Sequence, residues 1–335
     1  ALRSRLRTLG WFAEQGLAEP NMADFLDIVA VGTVADVVPL DANNRVLVHH
    51  GLQRIRAGRC RPGIRALAEV ANRKLERLVA ADLGFAVGPR LNAAGRLDDM
   101  SHGIECLLVQ DETSARALAQ ELDQLNVDRR AIENSMQQEA MAALKQLSLD
   151  VSRLPYGLCL YKQDWHQGVI GILAARVKER YNRPVIAFAK GDNGELKGSA
   201  RSVAGVHIRD VLDAVASRHP GLITKFGGHA MAAGLSLPPE NYTAFRDAFD
   251  IEVRRLMTED DLTGVIHSDG ELSSQELDLP LANLLREAGP WGQGFPEPIF
   301  DGEFELLDQR LVGEKHLKMT LGLRGSNRVL DAIAF

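Results

Sequence analysis

Residues 27–45 read "DIVAVGTVADVVPLDANNR", and the fold turns on how they are taken. Ile28-Val29-Ala30-Val31 is an apolar run of strand type, broken by Gly32-Thr33. Asp36 then stands between Ala35 and Val37-Val38, ahead of Pro39 and a polar turn over 41–45. A buried carboxylate is costly unless it is paired, hydrogen-bonded or bound to a metal. A lone Asp more often caps a helix or closes a turn. The sharper alternative is a metal ligand at the carboxyl end of a buried strand, where α/β sheets place their sites. The stretch alone leaves both readings open.

Working outward, the pattern predicts a helix before the 28–31 strand and another from about 45 to 57, then a turn, "AGRCRPG". Helical patterns follow over 63–72 and 79–87, with the glycine-rich stretch "GFAVGPRLNAAGRLDDM" attached at 84–100. Residues 111–147 contain no Gly or Pro, and Leu118, Leu122, Leu125, Ile132, Met136, Met141 and Leu144 recur at near-helical spacing. That predicts one long amphipathic helix, or two in line, bridging segments of different character. From Tyr156 strands and helices alternate: "YGLCLYK", "GVIGILAARVKERYN", "PVIAFAK", "GELKGSARS", "HIRDVLDAVASRH" and "HAMAAGLSL", then a helical segment around 238–258. After "WGQGFPEP" (291–298), short strands have the spacing of a small antiparallel barrel. The expected class is α/β, with boundaries near 1–108, 109–150, 151–258 and 259–335.

Length and composition fit a soluble, multidomain protein: 335 residues, 45% hydrophobic and 25% charged. No apolar run reaches the length of a membrane span. Cys60, Cys106 and Cys159 are far apart and odd in number, which supports neither a zinc ribbon nor a disulfide framework and fits a reducing cytoplasm. The net charge of −6 gives no overall electrostatic case for nucleic acid, although a basic groove is compatible with an acidic whole. The start lacks an initiator Met and a signal peptide, and the end, "RVLDAIAF", is apolar and strand-like. Both suggest part of a longer protein.

Besides Asp36, four places have the residue types of a site. "GPRLNAAGRL" (88–97) sets Arg90, Asn92 and Arg96 among small residues, and forked guanidinium donors suit phosphate. An ordinary loop with surface arginines is an equal reading. "KGSARS" (197–202) places Ser199, Arg201 and Ser202 beside a glycine at a strand end, where hydroxyls, backbone N–H groups and a guanidinium converge on an anion, or simply face solvent. In "KFGGHAMAAGLSL" (225–237), Gly227-Gly228 precede His229, and the surrounding small residues favour a site over a structural histidine. "DWHQGVIGI" (164–172) offers Trp165-His166 ahead of a helix start, as a cap and packing aromatic or as a further phosphate contact. His49-His50 is set aside as a metal pair, because adjacent residues on a helix do not share a face. No Walker, G-x-S-x-G or H-E-x-x-H motif occurs.

"GTVADVVPL…NR", "GPRLNAAGRL", "WHQGVIGILAAR", "GSARS" and "GGHAMAAGLSL", in this order, resemble the RecJ exonucleases of the DHH phosphoesterase superfamily. The resemblance runs over nearly the whole chain. It implies the remainder of a DHH-type parallel-sheet domain, a connecting helix, a DHH-associated domain and an oligonucleotide-binding barrel. It implies metal-dependent 5′→3′ hydrolysis of single-stranded DNA in repair and recombination. Asp36 matches the family's fourth-motif ligand of Mn²⁺ or Mg²⁺, and His229 the Gly-Gly-His element facing the metals. Arg90, Asn92 and Arg96 match the fifth motif. Ser199, Arg201 and Ser202 match the strand of the DHH-associated domain that contacts the 5′-terminal phosphate and the backbone. The Asp-His-His element is absent, so the expectation is a piece of the enzyme with one metal ligand and no activity of its own. Implied partners are single-stranded DNA, with a single-strand-binding protein and a helicase as candidates, around a cytoplasmic monomer. Two other readings stand beside this one: a phosphodiesterase of oligoribonucleotides or cyclic dinucleotides, which the terminal barrel argues against, and a non-catalytic single-strand-binding module.

Overall fold

The β-branched run at 28–31 is helical. In the computed structural model, which describes residues 2–97, 99–146, 154–165, 167–191, 194–313 and 316–335, the chain opens with α1 (Leu2–Thr8) and α2 (Trp11–Glu14). A 3₁₀ turn capped by the Asn21 side chain leads into α3 (Leu26–Ala35). The expected strand is overturned by packing. α4 (Ala42–Arg56) closes on α3 so tightly that a Cβ on Gly51 would lie 2.3 Å from the Leu26 carbonyl oxygen and 2.5 Å from Ala30 Cβ. Ala30 and Val31 are buried in that contact, and tertiary burial overrides the strand preference of Ile and Val.

α5 (Pro62–Val70), α6 (Ala80–Asp82), a π-helical turn (Leu83–Val87), α7 (Gly88–Leu97) and α8 (Ser101–Leu108) follow. The glycine-rich stretch is therefore helical and not a loop. The first 108 residues show no strand among those described, so the remainder of a parallel sheet expected there is absent. α9 (Glu112–Gln146) is the long helix that the heptad-like leucines predict. The chain separates into two compact units, Ala1–Arg129 with His267–Phe335, and Arg130–Ile266, the division falling within α9.

The second unit carries β1 (Leu158–Tyr161), α10 (Gln167–Tyr181), β2 (Val185–Lys190), β3 (Leu196–Arg201), α11 (Ile208–Arg218), β4 (Lys225–Gly228), β5 (Ala232–Leu237) and α12 (Tyr242–Arg254). β4 is unheralded in the sequence, because "KFGG" has no strand-type pattern of its own. The sheet order is β1-β2-β3-β5-β4, with β1–β2 parallel and the other pairs antiparallel. One face packs Ile186, Phe188, Leu196, Ala200 and Leu235 on α11 and α12. The other packs Val185, Ala187 and Ala189 under α10.

In the first unit, α13 (Leu279–Ala288) precedes β6 (Phe304–Val312), β7 (His316–Leu323) and β8 (Val329–Ala334). These form a three-stranded antiparallel sheet in sequence order. It is not closed, and the α/β class is as expected. Cys60, Cys106 and Cys159 are free, and among the described residues no helix is long and apolar enough to cross a membrane.

Candidate nucleic-acid interface

Strand period decides what β3 presents. Leu196, Gly198 and Ala200 are buried on the α11–α12 side, so Lys197, Ser199 and Arg201 share the opposite face. Register extends that face sideways: Ser199 pairs with Ala187 on β2 and Gly234 on β5, and Gly234 pairs with Gly227 on β4. α10 packs over β2, and on the β5–β4 side the row that continues from Ser199 is bare glycine backbone.

Arg201 Nη1 donates to Ser199 Oγ at 3.2 Å and to the Ala200 carbonyl at 2.8 Å. α10 presses on this pair through Gly171, where a Cβ would lie 3.2 Å from Arg201 Nη2 and 3.3 Å from Ser199 Oγ. Among the described residues no carboxylate pairs with Arg201, and burial lowers its pKa from the ordinary arginine value. A partly desolvated guanidinium without a protein counter-charge is the chemistry of an anion site. Ser202, expected to join it, does not. It is 1% exposed and its hydroxyl donates to the Val206 carbonyl at 2.6 Å, so it holds the turn after β3.

β4 and β5 form a hairpin whose turn presents His229, exposed, with its N–H on the Ala232 carbonyl at 2.8 Å. Gly228 is obligatory there: its φ is 147°, and a Cβ would lie 2.5 Å from both the Ala232 oxygen and Ala233 Cα. Gly227 has open space instead. Trp165 is a packing aromatic under α10, and His166 lies outside the described residues.

Asp36 belongs to the first unit. It is exposed and caps the C-terminus of α3, so the picture of a buried carboxylate at a strand end is wrong. The helix closes by Val38 N–H to the Thr33 carbonyl at 3.0 Å and Val37 N–H to Val34 at 3.1 Å, a Schellman ending with Val37 at φ 54°. The buried carboxylate of the opening stretch is Asp27, which accepts from the Arg61 N–H at 2.8 Å and pairs with the Arg61 guanidinium. The structure does join Asp36's helix to the "GPRLNAAGRL" segment. A Cβ on Gly88, the first residue of α7, would meet Ala35 Cβ at 3.1 Å, and one on Gly84 would meet Val34 at 3.2 Å.

Arg90 is committed elsewhere: Nε and Nη2 both lie 2.8 Å from Asp123 of α9, and Nη1 donates to the Ala86 carbonyl at 2.8 Å. Its geometry is that of a strut between α7 and α9, which corrects its reading as a phosphate fork. Asn92 is exposed on α7, and the Arg96 side chain lies outside the described residues. The loop after Asp36 is clamped by residues 291–295. Leu40 N–H donates to the Gln293 carbonyl at 2.6 Å, and Arg45 lies 3.6 Å over the Phe295 ring, itself stacked on Trp291.

Among the described residues, no group of three or more His, Cys, Asp or Glu is arranged to hold a metal ion. These side chains do not by themselves fit a two-metal centre.

The family model of the DHHA1 domain matches residues 151–255, and that of the RecJ OB domain matches 268–335. The single-stranded-DNA-specific exonuclease RecJ of Dickeya dadantii (strain 3937) is 62% identical over 335 residues, all of this chain and 58% of that protein. The chain belongs to the RecJ family. Among solved structures, RecJ from Thermus thermophilus in complex with Mg²⁺ is similar at TM-score 0.70 and 30% identity, over 95% of this chain and 49% of that one. The Mn²⁺ complex of the same RecJ also scores 0.70, at 31% identity, over 96% and 45%. The chain thus spans little more than half the length of the RecJ relative from Dickeya.

Lys197, Lys225 and Ser236 face the same open sheet surface and are absent from the residues that the sequence singled out. A signal was available for Lys197, which recurs with Ser199 and Arg201 at the strand period of two, whereas Ser236 and Lys225 are brought beside it only by register across the sheet.

Proposed function

We propose that the protein acts in 5′→3′ exonucleolytic removal of nucleotides from single-stranded DNA, with the Ser199–Arg201 seat gripping the 5′-terminal phosphate. The observation that supports this is the half-buried Arg201 without a carboxylate partner, bonded to the Ser199 hydroxyl beneath Gly171. A terminal phosphate dianion would supply the missing counter-charge, and the fork of Arg and the hydroxyl of Ser match its oxygens. His229, at the tip of a hairpin that requires Gly228, would donate to a phosphate oxygen of the same strand. Asp36 would contribute one carboxylate toward a divalent cation, Mn²⁺ or Mg²⁺. The remaining ligands are not among the described residues, so the 335-residue chain alone is expected to bind single strands without cleaving them.

The test compares two oligothymidylates that differ only in a 5′ phosphate, by fluorescence anisotropy at one fixed salt concentration, because phosphate contacts are salt-dependent. A charged hydrogen bond contributes about 1.5–3 kcal/mol, so Arg201→Ala should weaken the phosphorylated strand about tenfold or more and the 5′-hydroxyl strand far less. Equal loss for both would make Arg201 a general backbone contact and defeat the end-reading assignment. Release of labelled nucleotides by the chain with Mn²⁺, abolished by chelation, would overturn the expectation of binding without cleavage.

A further inference from the structure

The sheet face that carries Ser199 and Arg201 has a second row of polar groups one repeat along the strands. Lys197 on β3 pairs in register with Ser236 on β5, and Ser236 pairs with Lys225 on β4. Ser236 is only 5% exposed, yet its hydroxyl lies on an open face. Lys197 Nζ donates to Ser236 Oγ at 2.8 Å and also lies 3.7 Å from Glu195. That bond uses a lone pair of Ser236, and among the described residues nothing accepts the hydroxyl's own proton. Lys225 is exposed and has no ion pair among the described residues. Lys197 and Lys225 line a depression of about 350 Å³ floored by Gly227 and Gly234.

We propose that Lys197, Ser236 and Lys225 form a second phosphate seat, which takes a backbone phosphodiester of the strand whose 5′ end occupies the Ser199–Arg201 seat. The chemistry is that of an oxyanion. Two lysines and a serine line the depression, and the serine hydroxyl has a proton to give. Two residues along a strand span about 6.7 Å, comparable to the separation of neighbouring phosphates in an extended single strand. The rows Ser199–Gly234–Gly227 and Lys197–Ser236–Lys225 therefore form a ladder with which an unstacked strand stays in register. The glycines of the first row remove side chains from the path, so the backbone approaches the sheet closely. Lysine, a point charge on a flexible stem, suits a repeating phosphate whose orientation is not fixed, whereas the forked Arg201 suits the terminal one. The seat reads charge and spacing and carries no base preference.

This inference rests on the reading of the face as a single-strand path, and the experiment separates the two. The 335-residue chain, its Lys197→Ala/Lys225→Ala double variant, a Lys197→Arg/Lys225→Arg variant and Arg201→Ala are titrated with thymidine 5′-monophosphate and with 5′-phosphorylated oligothymidylate, over a range of salt. The double alanine variant should bind the oligonucleotide about tenfold more weakly, and its salt slope should fall by about 0.7 for each phosphate it no longer neutralises. Its affinity for thymidine 5′-monophosphate should be unchanged, and the arginine variant should keep most of the binding. Arg201→Ala should lose affinity for both ligands. An unchanged oligonucleotide affinity and slope in the double alanine variant overturns the proposal. So does a loss that falls equally on the mononucleotide, because the lysines would then serve the terminal phosphate. If the lysine variant behaves as expected while Arg201→Ala changes nothing, the second seat stands and the end-reading assignment falls.

Discussion

Asp27→Ala should be among the most damaging single changes in the first unit. Asp27 is 1% exposed, and its oxygens accept from the backbone N–H groups of Ile28 and Arg61, each at 2.8 Å, while pairing with the Arg61 guanidinium. Removing it leaves a guanidinium that is only 17% exposed without its counter-charge, and a backbone donor at the start of α5 without an acceptor. Breaking a buried pair by deleting one partner costs about 3–5 kcal/mol. The pair borders an open depression lined by Asp24, Arg54 and Cys60, from which water can enter and partly replace the missing oxygens. The lower end of the range, about 3 kcal/mol, is therefore expected, with a fall in Tm of roughly 6–12 °C if the unit unfolds as a body of its size. The control is Asp24→Ala. Asp24 also pairs with an arginine, Arg54 at 2.7 Å, but its side chain is 59% exposed, and such a pair contributes at most about 1 kcal/mol. Urea denaturation followed by circular dichroism gives both numbers. If Asp27→Ala costs no more than Asp24→Ala, the account of the opening stretch as anchored by a buried ion pair is wrong.

Gly228→Ala should distort the β4–β5 turn, because its Cβ would lie 2.5 Å from backbone atoms of Ala232 and Ala233; single-strand affinity should drop in anisotropy titrations, while Gly227→Ala, with open space, should leave the fold intact. Arg90→Ala and Asp123→Ala should each cost about 1–3 kcal/mol and show strong non-additivity when combined, since they share one ion pair at 2.8 Å; independent effects would refute the strut between α7 and α9. Burial pushes the Cys106 thiol up to about 11 from 9.0. A thiol raised in the folded state contributes stability that is whole below the unfolded value and is lost as pH rises toward 11. Stability measured by urea denaturation should therefore fall between these two pH values, and a Cys106→Ser variant should lose that part of the slope.

The sequence made some of this legible and hid the rest for identifiable reasons. The long helix α9 was readable because its apolar repeat runs uninterrupted by Gly or Pro, and α10 because Asn182 and Pro184 mark its end. β3 was readable as a strand, yet Lys197 was not singled out on it. Lys197 stands beside Gly198 as Ser199 does, but Ser236 and Lys225, which join it in one row, lie across the sheet and are set by register. Ser202 and Arg90 have the residue types of a phosphate site, but one is buried on the Val206 carbonyl and the other is paired with Asp123. Those partners are distant or turn-dependent, so no local pattern reveals them.

The misreading around Asp36 has its own physical cause. Helices commonly end on a residue in the left-handed conformation, usually Gly or Asn, and that residue is the stop signal in the sequence. α4 ends at Gly58 with φ 70°, α5 at Asn72 with φ 56°, and α10 at Asn182 with φ 47°. α3 ends in the same way, but on Val37 at φ 54°, a β-branched residue in a conformation that costs L-residues about 1–2 kcal/mol. With Val in place of the usual glycine, "VADVV" reads as strand and the helix end is invisible. Such strain persists only where the surroundings over-determine it, and here they do. The Schellman bonds fix one side, and Pro39-Leu40 are held on the other by Gln293, with Gly292 and Gly294 against Leu40 and Pro39. A glycine signature more than 250 residues downstream in the chain thus secures the turn that displays Asp36, and this long-range support is what allows a sequence with no local stop signal to end its helix at that carboxylate.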